Sequence, residues 1–76
     1  MAFGPFKING NLGETIVAGP TAANVFLRSL GPEYRHTYQW KVVERMLEVA
    51  WMSEESESMA ARAFEVALET DNFLIG

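Results

Sequence analysis

The sequence predicts a small α+β domain in which an N-terminal β-hairpin is followed by three α-helices. Two short β-prone runs lie on either side of an Asn9-Gly10 step, which is a strong hairpin signal. Gly-Pro steps at 19–20 and 31–32 divide the chain, and the segments 32–52 and 54–70 are apolar with a helical period. We expect helices 2 and 3 to form an antiparallel pair that is used for self-association.

Residues 1–20 are predicted to be extended, with the hairpin built from the runs 6–8 and 14–17. A two-stranded ribbon is marginally stable alone in water. Its apolar side chains should therefore pack on the helices or on a neighbouring chain, and these are Phe3, Phe6, Ile8, Ile16 and Val17.

A first helix is predicted over 21–30, with Thr21 as its N-cap. Gly31 suits the left-handed position that often follows a helix, and Pro32 suits the first turn of the next one. The Gly-Pro step therefore ends helix 1 and begins helix 2.

Helix 2 is predicted over 32–52 and has an unusually wide apolar face. Its charges Lys41, Glu44, Arg45 and Glu48 recur at spacings of three and four, which places them on one narrow strip. The remaining residues spread over roughly 200° of the helical wheel. The apolar members of this face are Tyr38, Trp40, Val42, Val43, Met46, Leu47, Val49, Ala50 and Trp51.

Helix 3 is predicted over 54–70, after a break at Ser53. The polar strip changes direction here, so one straight helix could not keep a single face buried. Ser53 is a good N-cap, and the acids that follow it suit the positive end of a helix. The tail 71–76 ends in three large apolar residues, and we expect it to dock, with the hairpin as one candidate surface.

The composition limits how this domain can be stabilised. The chain has 76 residues and a mass of 8.5 kDa, and it contains no cysteine and one histidine. A disulfide and an ordinary Cys/His zinc site are therefore excluded, and we predict no metal and no cofactor. Because a domain this small buries little apolar area, oligomerisation is the remaining way to stabilise it.

The charge argues against general nucleic-acid binding, which requires a surplus of Lys and Arg. The formal net charge is −4 and the pI is near 4.8. The distribution is uneven, since residues 28–45 are net positive whereas residues 46–76 carry seven acids against Arg62.

No run approaches the ~18 apolar residues of a spanning helix, and the start lacks a secretion-signal pattern. We expect a cytoplasmic protein without a membrane partner.

The best local candidate for ligand or partner binding is the segment 34–40. It holds the single histidine, an arginine and three aromatic residues, namely Tyr34, Arg35, His36, Tyr38 and Trp40. Cations at a helix start oppose the helix dipole, and arginine beside aromatic rings suits a phosphate, a base or an acidic peptide. The alternative interpretation is that the aromatic residues simply pack in the core or an interface.

We predict that the protein is not an enzyme. His36 would need a positioned acid or nucleophile to act as a general base, and no triad, nucleophile elbow or metal motif accompanies it.

The acidic residues Glu54, Glu55 and Glu57 are a candidate docking surface, which could also mimic a phosphate backbone. They could equally be the solvated start of helix 3.

The leading hypothesis is a non-enzymatic protein–protein interaction module that acts as a homo-oligomer, for example an inhibitor or adaptor of the phage accessory type. The partners would be a second copy and another protein. The predicted oligomer interface comprises Val43, Met46, Leu47, Ala50, Trp51, Ala60, Ala63, Phe64 and Ala67. One alternative is nucleotide or single-stranded nucleic-acid binding through Arg35, His36, Tyr38 and Trp40, with Lys41 or Arg45. Another is a virion or filament subunit, which would assemble without closure.

Overall fold

The predicted α+β order is confirmed by a computed structural model, which describes residues 3–10 and 13–74. Residues 1, 2, 11, 12, 75 and 76 lie outside the described part, so the outer ends of the predicted segments 1–20 and 71–76 do too. The elements are β1 Phe6–Gly10, β2 Gly13–Val17, α1 Pro20–Ser29, α2 Pro32–Arg35, α3 Tyr38–Val49, a 3-10 turn Ala50–Met52 and α4 Glu54–Thr70.

The two strands pair antiparallel, with Phe6 opposite Val17 and Gly10 opposite Gly13. Asn9 belongs to β1, so the Asn9-Gly10 step is not the turn itself, and the chain reverses beyond Gly10. Because side chains alternate along a strand, Phe6, Ile8 and Val17 face the helices. Ile16, which lies opposite Lys7, is exposed and does not pack on the helices, so of its two predicted contacts only the one with a neighbouring chain stays a prediction.

Gly4 positions the segment that leads into β1. Its φ of +71° is strained for other residues, and a Cβ there would lie 2.5 Å from the carbonyl oxygen of Val17. This close approach of the backbone to β2 brings Phe3 into the core, where its side chain is buried.

The first helix begins one residue earlier than the sequence suggested. Pro20 occupies the first turn and Gly19 is the N-cap, so Thr21 is not the cap. The prediction for Gly31 is also wrong, because its φ is −68° and it serves instead as the N-cap of α2. Leu30, in an extended conformation, ends α1.

The predicted helix 32–52 is interrupted twice. The first break lies at His36 and Thr37, where the Thr37 hydroxyl donates a hydrogen bond of 2.6 Å to the carbonyl of Tyr34 and the backbone becomes extended. A hydroxyl that binds a nearby carbonyl competes with helix continuation. The second break is the 3-10 turn at residues 50–52. No Gly or Pro marks either position.

The break at Ser53 is confirmed. Its side-chain oxygen accepts a hydrogen bond of 3.0 Å from the backbone N–H of Ser56, which caps α4. Glu54, Glu55 and Glu57 lie in the first turn, near the positive end of the helix dipole.

The end of α4 turns the tail back to the hairpin. Asn72 adopts φ 60°, the N–H of Asn72 binds the carbonyl of Glu69, and the N–H of Phe73 binds that of Leu68. This pair of bonds is a Schellman motif, which often ends helices. Phe73 then accepts a hydrogen bond of 2.8 Å from the N–H of Asn9, and Leu74 pairs with Ile8. The expected docking of the tail on the hairpin is confirmed for these residues.

The core lies between the α3–α4 pair on one side and α1, the hairpin and the tail on the other. The helices α3 and α4 are antiparallel, because Trp40 at the start of α3 reaches Asp71 just beyond the end of α4. The buried side chains are Phe3, Ile8, Val17, Ala23, Leu27, Trp40, Val43, Ala50, Ala60, Ala61, Phe64, Ala67 and Leu68. No polar or charged residue of the described part is buried.

Replacing Phe64 with Ala should lower the free energy of unfolding by about 3–5 kcal/mol, because its buried ring contacts four other aromatic rings. Urea denaturation followed by circular dichroism measures this loss. Val25→Ala, at an exposed position of α1, is the control and should stay within about 0.5 kcal/mol of the parent protein. Equal effects of the two changes would contradict the packing described here.

Candidate functional site

The three aromatic residues of the predicted cluster at 34–40 lie in three different places in the structure. Trp40 is fully buried, and its indole N–H donates to a carboxylate oxygen of Asp71. Tyr34 is half-buried against Phe73, with ring centroids 5.2 Å apart. Tyr38 is 83% exposed on the other side of α3. The three aromatic rings therefore do not form one stacking surface.

Arg35 and His36 are exposed and lie in a pocket at the junction of α1, α2 and α3. The pocket has a volume of about 590 Å³. We call it the basic pocket, and its lining residues are Leu30, Pro32, Arg35, His36, Lys41, Glu44 and Arg45. Arg35 and Glu44 form an ion pair of 3.8 Å between half-exposed side chains, a geometry that contributes little stability in water.

A second concave surface lies on the outward side of the α3–α4 pair and has a volume of about 510 Å³. We call it the apolar groove; α3 contributes Tyr38, Gln39, Val42 and Met46, and α4 contributes Met59, Arg62, Ala63 and Val66. Arg62 is its single charged residue. Tyr38, Met59 and Val66 are each more than 40% exposed. The groove and the basic pocket share no lining residue.

The predicted oligomer interface is corrected by this arrangement. Five of its residues are buried within the chain's own core, so a partner could not contact them on this fold, and these are Val43, Ala50, Ala60, Phe64 and Ala67. Met46, Leu47 and Ala63 are half-buried, and Trp51 is 81% exposed. Met46 and Ala63 line the apolar groove, whereas Trp51 lies in the 3-10 turn.

The apolar groove residues that lie outside both the predicted interface and the predicted binding cluster are Val42, Met59 and Val66. The groove residues follow a helical spacing: Tyr38, Val42 and Met46 recur at spacings of four along α3, which is one face of a helix. Met59, Ala63 and Val66 repeat the spacing on α4. The sequence alone does not tell which of two adjacent apolar faces turns inward.

The acidic residues at the start of α4 have a structural explanation, since they lie at the positive end of its dipole. Glu54 and Glu55 are exposed and Glu57 is half-buried. A docking role for the three remains a prediction.

The described residues provide little for catalysis. Within 3–10 and 13–74, no three His, Cys, Asp or Glu side chains lie close enough to share a metal ion. His36 is exposed beside cations, without a described hydrogen-bond partner of the kind that positions a general base. Every buried side-chain nitrogen or oxygen in the same part of the chain has a hydrogen-bond partner.

Comparisons of the chain with protein-family models, with curated proteins and with solved structures find no match. The helices of the described part are too short or too polar to cross a membrane.

Changing Trp40 to Phe should lower the free energy of unfolding by about 1.5–3 kcal/mol, because it removes a hydrogen bond to a carboxylate from the core. Trp51→Phe is the matched control and should cost less than about 0.5 kcal/mol, since Trp51 is exposed. Urea denaturation of both variants measures the difference. If Trp51→Phe lowers the free energy of unfolding more than Trp40→Phe does, the two tryptophans have been assigned to the wrong environments.

Proposed function

We propose that this protein is a non-enzymatic protein–protein interaction module that self-associates through the apolar groove. The observation that carries the proposal is the concentration of exposed apolar side chains on one helical face. Tyr38, Met59 and Val66 line the groove and are exposed, with Val42, Met46 and Ala63 half-buried between them. A contiguous apolar surface of this kind on a small protein is typical of an interaction site.

The total surface supports the same proposal. The accessible area is 5177 Å², whereas the scaling law for folded monomers of 8.5 kDa gives about 4,650 Å². The radius of gyration is 11.3 Å, close to the ~11 Å of a compact 76-residue domain. An extended chain therefore does not account for the difference, and burying the apolar part of the surface would stabilise the fold.

A second copy is the occupant that best fits the groove. Two antiparallel helices with an apolar seam between them form half of a four-helix bundle, and a second pair completes it. A two-fold axis would place each groove on the other, so the same residues serve both sides. Arg62 is the single charged residue that lines the groove, so pairing buries few charges.

The predicted role as an inhibitor or adaptor remains part of this proposal, with a further protein as its target. The nucleotide-binding alternative has less support in its original form, because Trp40 is buried and Tyr38 belongs to the groove. A filament subunit would require open-ended rather than two-fold contacts.

Changing Val66 to Glu should abolish self-association, because it places a carboxylate in the apolar seam that pairing would desolvate. Val25→Glu is the matched control, since Val25 is also an exposed valine on a helix but lies outside the groove. Sedimentation equilibrium over a range of concentrations should show a dimer for the parent protein and for Val25→Glu, and a monomer for Val66→Glu.

Circular dichroism of both variants separates a loss of association from a loss of folding. A parent protein that stays monomeric at every concentration would contradict the proposal. Oligomers of the parent protein that grow with concentration without a limiting size would favour the filament alternative instead.

A further inference from the structure

The basic pocket concentrates positive charge in an acidic protein. Three of the chain's six Lys and Arg residues line it, Arg35 from α2 and Lys41 and Arg45 from α3, and His36 adds an imidazole. The formal net charge of the whole chain is −4. The residues that line the pocket therefore carry a charge opposite in sign to that of the whole chain.

The single acid that lines the pocket does not neutralise it. Glu44 lies 3.8 Å from a guanidinium nitrogen of Arg35, and both side chains are about half exposed. One carboxylate against three permanent cations leaves the pocket net positive. Because an exposed ion pair of this length contributes little stability, a phosphate group can displace the Glu44 carboxylate from Arg35.

The start of α3 adds to the positive potential. Its first turn contains no acid, and its N-cap, Thr37, makes no capping hydrogen bond because its hydroxyl binds Tyr34 instead. Lys41 follows directly after this turn, so no acidic side chain of α3 precedes it.

We propose that the basic pocket binds the phosphate group of a small phosphorylated molecule, as a phosphate ester or a short oligophosphate. The guanidinium groups of Arg35 and Arg45 can each donate two parallel hydrogen bonds to phosphate oxygens, and Lys41 supplies a mobile ammonium group. The volume of about 590 Å³ lies within the range of small-molecule sites.

Recognition at this pocket depends on charge rather than on base stacking. Trp40 is fully buried, and Tyr38 lines the apolar groove rather than the pocket. A nucleotide should therefore bind no more tightly than an oligophosphate of the same charge. The cations converge on one pocket from two helices rather than forming a long strip, and this favours a compact anion over an extended acidic peptide.

Titration of the full chain with pyrophosphate, followed by two-dimensional NMR of its backbone amides at low ionic strength, tests the proposal. Saturable shifts should be confined to residues around the pocket. Lys41→Gln and Arg45→Gln should each weaken binding at least about fivefold, because each removes a charged hydrogen-bond donor. Lys7→Gln removes the same charge from the hairpin and should change the affinity less than about twofold.

The three substituted residues are exposed, so folding of the variants is expected and is checked from the same spectra. Chemical shift changes that never saturate would overturn the proposal, and so would a Lys7→Gln variant that binds pyrophosphate as weakly as Lys41→Gln and Arg45→Gln. Either result would indicate non-specific electrostatic attraction instead. Tighter binding of ATP than of tripolyphosphate would overturn recognition by charge alone. Tighter binding of a glutamate-rich peptide than of pyrophosphate would reassign the pocket to an acidic protein. Because groove and pocket share no residue, these results do not depend on self-association.

Discussion

The packing of aromatic rings around Phe64 is the interaction on which the rest of the structure depends. The ring centroid of Phe64 lies 5.7 Å from those of Phe3 and Phe6, 5.9 Å from that of Phe26 and 6.0 Å from that of Trp40. These rings come from the N-terminal segment, β1, α1 and α3, so one side chain of α4 contacts four other parts of the chain. Aromatic pairs at such distances stabilise a fold beyond the area that they bury. Phe73 extends the cluster from the tail, against Phe26 and Trp40.

The position of this cluster determines which surfaces remain outside. Because the large rings meet on one side of the α3–α4 pair, the opposite side of that pair is left to medium-sized apolar residues that face solvent. The same packing orients α3 so that Lys41 and Arg45 point to its junction with α2. The apolar groove and the basic pocket are thus two consequences of one packing arrangement, and they lie on different faces of α3.

Much of the local structure could be predicted from the sequence. The cap at Ser53 and the first turn of acids after it are short-range signals, and both are found. The order of hairpin and helices follows from the periodicity of the apolar residues and from the Gly-Pro steps that separate the segments. The contact between Phe73 and Asn9 is harder to predict from the sequence, because its hydrogen bond joins residues far apart in the chain. Only the expectation that an apolar tail must dock indicates such a contact.

The two tryptophans show where the sequence is insufficient. In one uninterrupted helix, Trp40 and Trp51 are eleven residues apart and would lie on nearly the same face. The 3-10 turn at residues 50–52 changes the direction of the chain, so that Trp40 is buried and Trp51 is exposed. Five residues of the predicted interface are buried within the chain for a related reason. A helix with an apolar face of roughly 200° can turn either half inward, and the long-range packing around Phe64 decides which half.

We expect the outward face of the α3–α4 pair to be the surface that meets a second copy of the chain. The most direct measurement is an isotope-filtered NOE experiment on a mixture of labelled and unlabelled protein, which detects only contacts between molecules. Intermolecular NOEs are expected from the methyl groups of Met59 and Val66 and from the ring of Tyr38. NOEs from Ile16 or Val25 instead, or none in a sample shown to be associated, would contradict it.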